Sequence, residues 1–361
     1  MRKRTHKIAQ IAQRTVEYGG FIQMEQQKKI TIADVADALG VSRTTVSRAI
    51  SGKGRIGKET RARVMEYIEA HDYKPNVIAK SLAQSKTYNI CVVMPGEYDV
   101  IDLHFFQECL FGIQEIAGAM EYDLLLAICK NNDVSSLDRV ISNQKVDGTI
   151  LMRTFVEDAQ VEYLQNKKTP FVAIGSSNYP GVIQVDHNHR SACRELTSIL
   201  LMKQMKKIAL IGGDEGHVVN QSRIMGFREA YEAVGVQVDE NLLFLNLENN
   251  VMVDKKVDEI LEKGADCILC LDDAACSRVL RKLREKEIDV PEKIRVASFY
   301  NSTVLENNVP SITSLNFGAK EIGMVACQTL LDMIEGKDVP QRTLLPYQVV
   351  LRESTAWDAK K

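Results

Sequence analysis

Residues 31–50 read Thr-Ile-Ala-Asp-Val-Ala-Asp-Ala-Leu-Gly-Val-Ser-Arg-Thr-Thr-Val-Ser-Arg-Ala-Ile, two short helical patterns on either side of a glycine. Thr31 has the hydroxyl of a helix cap, and Ile32, Val35, Ala36 and Leu39 fall on one face of the helix it would start. Gly40 tolerates the left-handed conformation that ends such a helix, which turns Val41 back into the angle. Ser42 can cap a second helix with Thr45, Val46, Ala49 and Ile50 facing inward and Arg43, Thr44, Ser47 and Arg48 facing out. An apolar back with a short cationic front is the pattern of a helix-turn-helix whose second helix enters the major groove of DNA.

Charge is distributed to match. Residues 1–86 carry 17 Lys or Arg against 8 Asp or Glu, whereas the remaining residues carry 29 against 40. A basic front on an acidic remainder fits a nucleic-acid arm on a body that phosphate repels. The chain of 361 residues exceeds one compact core and suits a small domain with one or two larger ones. No apolar run reaches the length of a membrane span, and the basic opening residues precede no signal-peptide core, so a cytoplasmic protein is expected. Eight cysteines without framework spacing would stay reduced there. Cys267 and Cys270 lie within an apolar strand pattern, where positions three apart face opposite sides and cannot share an ion. His187 and His189 lack a third ligand nearby and read as a polar loop; no metal and no cofactor are expected.

Along the chain, residues 1–28 form an N-terminal extension, and Met24 opens a natural lead into the first helix that would serve as a start. The helix-turn-helix domain is expected over 29–75. Its third helix runs from 58 to about 71, with Thr60, Val64, Tyr67 and Ile68 available to close the core. Residues 76–87 make a hinge helix and linker: Asn76 is a good cap, and the helix after it spans barely two turns, too short to stand alone in water. From residue 88 to 361 strands and helices alternate. Strands are predicted at 89–94, 122–128, 148–151, 171–174, 207–213, 267–271, 295–299 and 348–351, with helices at about 105–120 and 222–234. Uninterrupted apolar strands between amphipathic helices imply parallel sheets covered on both faces. Two sets of similar size imply two doubly wound lobes with a ligand cleft beyond the strand ends.

These residues resemble the lactose-repressor (LacI/GalR) family. The resemblance rests on residues 31–50, Thr60-Arg…Val64 and Tyr73-Lys-Pro-Asn76…Ala79-Lys-Ser-Leu82-Ala. It continues in Val146-Asp-Gly-Thr-Ile150, Val185-Asp186, Lys207-Ile-Ala-Leu-Ile-Gly, Ser222-Arg223…Gly226-Phe-Arg-Glu-Ala and Pro310-Ser-Ile-Thr-Ser-Leu. It covers residues 29–357. The resemblance implies a small all-α helix-turn-helix domain followed by a periplasmic-binding-protein-like α/β body of two doubly wound lobes. It also implies a homodimeric transcriptional repressor that binds a near-palindromic double-stranded operator and senses a small-molecule effector, a sugar or sugar derivative, in the cleft. By position, Arg43, Thr44 and Arg48 would read bases, Arg48 suiting guanine by its planar donor pair. Thr31, Ser42, Thr45, Ser47, Arg55 and Asn76 would hold the phosphate backbone. Ala79 and Leu82 would enter the minor groove at the hinge, Leu82 as a wedge, the alternative being simple hinge packing.

In the body the resemblance assigns Phe106, Arg223, Asp272 and Tyr300 to the effector. Arg223 offers an always-charged fork of donors. For the Phe106 ring, lining the pocket and filling the core are both open. The chain departs from the family at Ser298-Phe299-Tyr300-Asn301, where many members carry Gly-aromatic-Asp-Asp, so Tyr300 replaces a hydroxyl-accepting carboxylate. Gly175 likewise stands where some sugar-sensing members have an acid. The chain ends without a leucine heptad, which implies a dimer. Two other classes compare poorly. A free binding protein of the transport type would need an export signal and no DNA head, and an enzyme would need a nucleophile elbow, phosphate loop or metal triad that the sequence lacks.

Overall fold

The computed structural model describes residues 30–52, 54–73, 86–96, 104–247 and 250–356. The chain divides into two compact units between Ser85 and Lys86. The first is helical: α1 Ile32–Leu39, α2 Arg43–Ser51 and α3 Lys58–Ala70. Thr31 caps α1 with a reciprocal box, its hydroxyl accepting from the Asp34 amide while the Asp34 carboxylate accepts from the Thr31 amide at 2.7 Å. Gly40 ends α1 at φ 64°, and the Val41 amide returns to the Ala36 carbonyl at 3.0 Å. That left-handed residue sets the turn. Val35, Ala36, Val46, Ala49 and Val64 bury completely or nearly so between the three helices. Tyr73, expected only as part of a chain break, closes the core from the far end and is itself buried.

The second unit holds two six-stranded sheets. The first contains β1 Asn89–Pro95, β2 Asp123–Cys129, β3 Gly148–Leu151, β4 Phe171–Ile174 and β5 Ile183–His187, covered by α4 His104–Ala119, α5 Ser135–Ile141 and α6 Ala159–Lys167. The chain then crosses through α7 His189–Met202 into the second sheet. That sheet contains β6 Ile208–Ile211, β7 Leu243–Phe244, β8 Cys267–Cys270, β9 Arg295–Ser298 and β10 Thr313–Phe317. Its helices are α8 Val218–Ala233, α9 Asn250–Glu262, α10 Asp273–Glu285 and α11 Thr303–Glu306. A second crossing leads to α12 Ala319–Ile334, which packs beside α4, and to β11 Arg342–Leu345 in the first sheet. A third, at Pro346, leads to β12 Tyr347–Val350 in the second. The orders are β11-β5-β4-β3-β1-β2 and β12-β10-β9-β8-β6-β7. All pairs are parallel except β10 with β12, which leaves the crossing region as β10 approaches it.

Alternate residues feed opposite faces, as uninterrupted apolar strands require. Ile90 and Val92 join one core cluster while Cys91 and Val93 join the other. Cys267 and Cys270 separate in the same way, and burial pushes the Cys267 thiol well up, so the pair is packing. Two elements differ from the sequence expectation. Helix α8 begins four residues earlier than residue 222, and α3 ends one residue before His71. No helix among the described residues is long and apolar enough to cross a membrane.

Candidate functional site

On the helical unit, α2 presents Arg43, Thr44, Ser47 and Arg48 to solvent while Val46 and Ala49 are buried beneath them. Ser42 accepts from the Thr45 amide at 3.1 Å, and the two hydroxyls lie 2.9 Å apart, which half-buries Thr45. Thr31 and Ser42 are therefore structural caps first, although both remain exposed. Arg48 sits in the last turn of α2, where the helix dipole favours a cation, and Arg55 is exposed in the following loop. Asn76, Ala79 and Leu82, expected at the hinge, lie outside the described residues, as does the extension over 1–28.

Between the two lobes of the second unit a cleft of about 280 Å³ opens, and all four residues expected there line it: Phe106, Arg223, Asp272 and Tyr300. Phe106 resolves both of its readings, since it borders the cleft and belongs to the core of the first lobe. Arg223 is buried on α8 and donates from one terminal nitrogen to the Leu271 carbonyl at 2.7 Å, which anchors the guanidinium at the end of β8. Its Nε is buried without a hydrogen-bond partner. Asp272 caps α10, one carboxylate oxygen accepting from the Ala275 amide at 2.8 Å. Tyr300 lies parallel to Phe317, ring centres 6.4 Å apart, and edge-on to Phe105 of the other lobe at 5.9 Å.

The sequence reading missed several lining residues, among them Phe105, Phe317, Asp273, His187 and His189. The two histidines correct an expectation. They are not in a polar loop: His187 ends β5 almost wholly buried, and His189 opens α7 with a side chain only 11% exposed. The three crossings converge on them. His187 Nδ1 lies 2.9 Å from the carbonyl of Pro346, and the Phe317 ring packs against both imidazoles at 5.1 and 4.5 Å. His189 Nε2 lies 3.5 Å from Asp186, whose other oxygen accepts from Ser176 at 2.6 Å. Burial raises the Asp186 carboxyl to about 6 and lowers both histidines below their ordinary value, His189 the more strongly, with Arg223 and His187 adding to the effect. No sequence signal marked this: spacing shows that two histidines are two apart, not that three distant segments enclose them.

Away from the crossings, the loops after β3 and β6 bridge the lobes. The Val156 amide donates to Gly216 at 2.9 Å, the Val218 amide to Thr154 at 3.3 Å, and the Phe155 and His217 rings lie 5.2 Å apart. The cleft is thus bounded on one side by continuous chain and on another by a short ladder that can part.

Two family models match the chain: bacterial regulatory proteins of the lacI family over residues 31–76, and the periplasmic binding protein-like domain over residues 197–355. The chain is 29% identical over 331 residues to the HTH-type transcriptional regulator MalR of Streptococcus pneumoniae, covering 89% of this chain and 99% of that one. It is 25% identical to catabolite control protein A of Staphylococcus xylosus, over 90% and 99% of the two chains. Among solved structures, the transcriptional regulator CelR in complex with cellobiose matches at a TM-score of 0.69 and 27% identity, over 90% of this chain and 99% of that one. The lac repressor dimer bound to operator and an anti-inducer matches in fold at a TM-score of 0.77 and 20% identity, over 91% and 99%.

Proposed function

This chain belongs to the lacI family of bacterial regulatory proteins and is a DNA-binding transcriptional regulator, and on that premise we propose a repressor whose operator affinity is set by a small metabolite, a sugar or sugar derivative, held in the interlobe cleft. The reading is carried by one observation: a capped helix with an exposed cationic front and a cleft at three interlobe crossings occur in the same chain. Arg43, Thr44 and Arg48 read bases; Thr31, Ser42, Thr45, Ser47 and Arg55 touch phosphates and set register. A homodimer on a near-palindromic operator places two such helices about one helical turn apart, as the DNA geometry requires. Asn76, Ala79 and Leu82 form the hinge that keeps this spacing. A ligand that prefers one lobe closure angle over another biases the spacing by its differential affinity for the two states.

Removing the Arg48 side chain tests the DNA half. Arg48→Ala should relax base preference at one position per half-site, with a loss of about 1–3 kcal/mol there. An unchanged selected site would reduce Arg48 to a phosphate contact. Thermal unfolding against sugars, sugar phosphates, nucleosides and purines tests the sensor half. A ligand at about a thousand times its dissociation constant should stabilise the fold by about 4 kcal/mol, and Arg223→Ala should abolish the shift.

A further inference from the structure

The departures at Tyr300 and Gly175 remove carboxylates that would accept hydrogen bonds from a ligand's hydroxyls, and the cleft supplies replacements of a different kind. The carbonyl of Pro346 can only accept, so the His187 Nδ1 that lies 2.9 Å from it carries the ring hydrogen. The Asp186 carboxylate likewise assigns the hydrogen of His189 to Nε2. A neutral imidazole with one nitrogen protonated leaves the other as a bare lone pair. Those bare atoms, His187 Nε2 and His189 Nδ1, are both buried without a hydrogen-bond partner, and so is the Oδ1 of Asp273. All three residues line the cleft, with the unpartnered Nε–H of Arg223 beside them. Buried polar atoms are nearly always satisfied, so this cluster is set out for something that donates to it.

We propose that His187 and His189 are the effector's hydrogen-bond acceptors, a pair that selects neutral hydroxyl-bearing ligands over their acids. This rests on the sensor reading above. A hydroxyl is donor and acceptor at once: it can give its proton to an imidazole lone pair while accepting from the Arg223 Nε–H. A carboxylate has no proton to give and meets lone pairs and the Asp273 and Asp186 oxygens, so the arginine alone does not make it welcome. The location adds a consequence. His187 ends β5, His189 opens α7, Pro346 joins β11 to β12 and Phe317 ends β10. A ligand held here touches all three segments about which the lobes turn.

The test uses the full chain and three matched pairs: glucose, maltose and cellobiose, each against its aldonic acid, by thermal shift and then calorimetry. The expected result is that a neutral member binds at least about tenfold more tightly than its acid. His189→Leu should weaken that neutral sugar by about tenfold or more, and His189→Gln, which keeps an acceptor, should restore most of the loss. The wild-type comparison stands even if a variant does not fold. An acid that binds as well as its parent sugar overturns the acceptor pair and leaves the sensor reading intact. A folded His189→Leu with unchanged affinity makes the imidazoles packing alone. If none of the six binds, the pair and the sugar-sensor reading fall together.

Discussion

The two lobes of the body are the same six-stranded solution built twice, yet they are sealed by different means. In the first lobe α4 and α12 approach so closely that a Cβ on Gly112 would lie 2.0 Å from the Lys320 carbonyl oxygen, and one on Gly323 would lie 2.1 Å from that of Cys109. The contact is reciprocal: each helix gives a glycine to the other's backbone. In the second lobe α7 and α8 meet over a single glycine, Gly226, whose Cβ would lie 2.2 Å from the Arg190 carbonyl. That lobe adds a polar clamp after β12. Arg352 donates to the Ile312 carbonyl at 2.8 Å, Ser314 at 2.7 Å and Asn301 at 3.0 Å, and Ser354 bridges Thr313 and Val296. Strand order is dictated by the alternation of elements, whereas closure is a local problem that backbone proximity or side-chain hydrogen bonding can each solve.

The contrast can be broken first at the glycine seam. Gly323→Ala should destabilise the body by about 3 kcal/mol, because the obstacle is backbone that cannot rotate away. At this size that lowers the melting temperature by about 2–4 °C per kcal/mol. Gly112→Ala adds less than its own effect, since both glycines serve one crossing. A Gly323→Ala protein that melts like the wild type would show that the helices separate freely, and the distinction between the lobes would vanish. Arg352→Ala should come next, at about 2 kcal/mol, a charged donor lost from three acceptors. Chemical denaturation of that variant should show the loss; a shift under about 0.5 kcal/mol would make the clamp ornamental.

The smallest expected effect belongs to neither lobe but to the crossings between them. His187 and His189 have folded pKa values below the ordinary 6.5, so their contribution is complete above pH 6.5 and is lost as the pH falls through the folded values. Asp186 runs the other way: raised to about 6, its contribution is present below 3.8 and disappears as the pH rises through 6. Acidification from pH 7 to 5 should therefore destabilise the wild type only modestly, and a His187→Gln, His189→Gln protein should be flatter or gain stability. An identical pH slope in that variant would place acid sensitivity elsewhere.

What the sequence made legible follows the range of the interactions. The helix-turn-helix was readable almost residue by residue, because its caps, turn glycine and inward face lie within twenty positions of one another. Gly148–Leu151 and Phe171–Ile174 were bounded correctly, since a fully buried strand is marked by its own apolar run. The start of α8 was not, because His217 precedes it with no side-chain cap bond to announce it. Gly226 was visible as part of a family pattern, but its reason is a helix from another part of the sequence. Arg223, Asp272, Phe106 and Tyr300 were gathered by resemblance. The histidines were lost, because burial at the meeting of β5, β10 and Pro346 is a property of segments more than a hundred residues apart in sequence.

The return of the chain through α12 and β11 also has a meaning in time. A ribosome releases the first five strands of the first lobe well before residue 200, yet the helix that covers one face and the strand that completes the edge come from 319–345. The first lobe must therefore wait, with the face destined for α12 uncovered, until the entire second sheet apart from β12 has been synthesised. The second lobe is an insertion within the first, and the first part of the body to emerge is among the last to be finished.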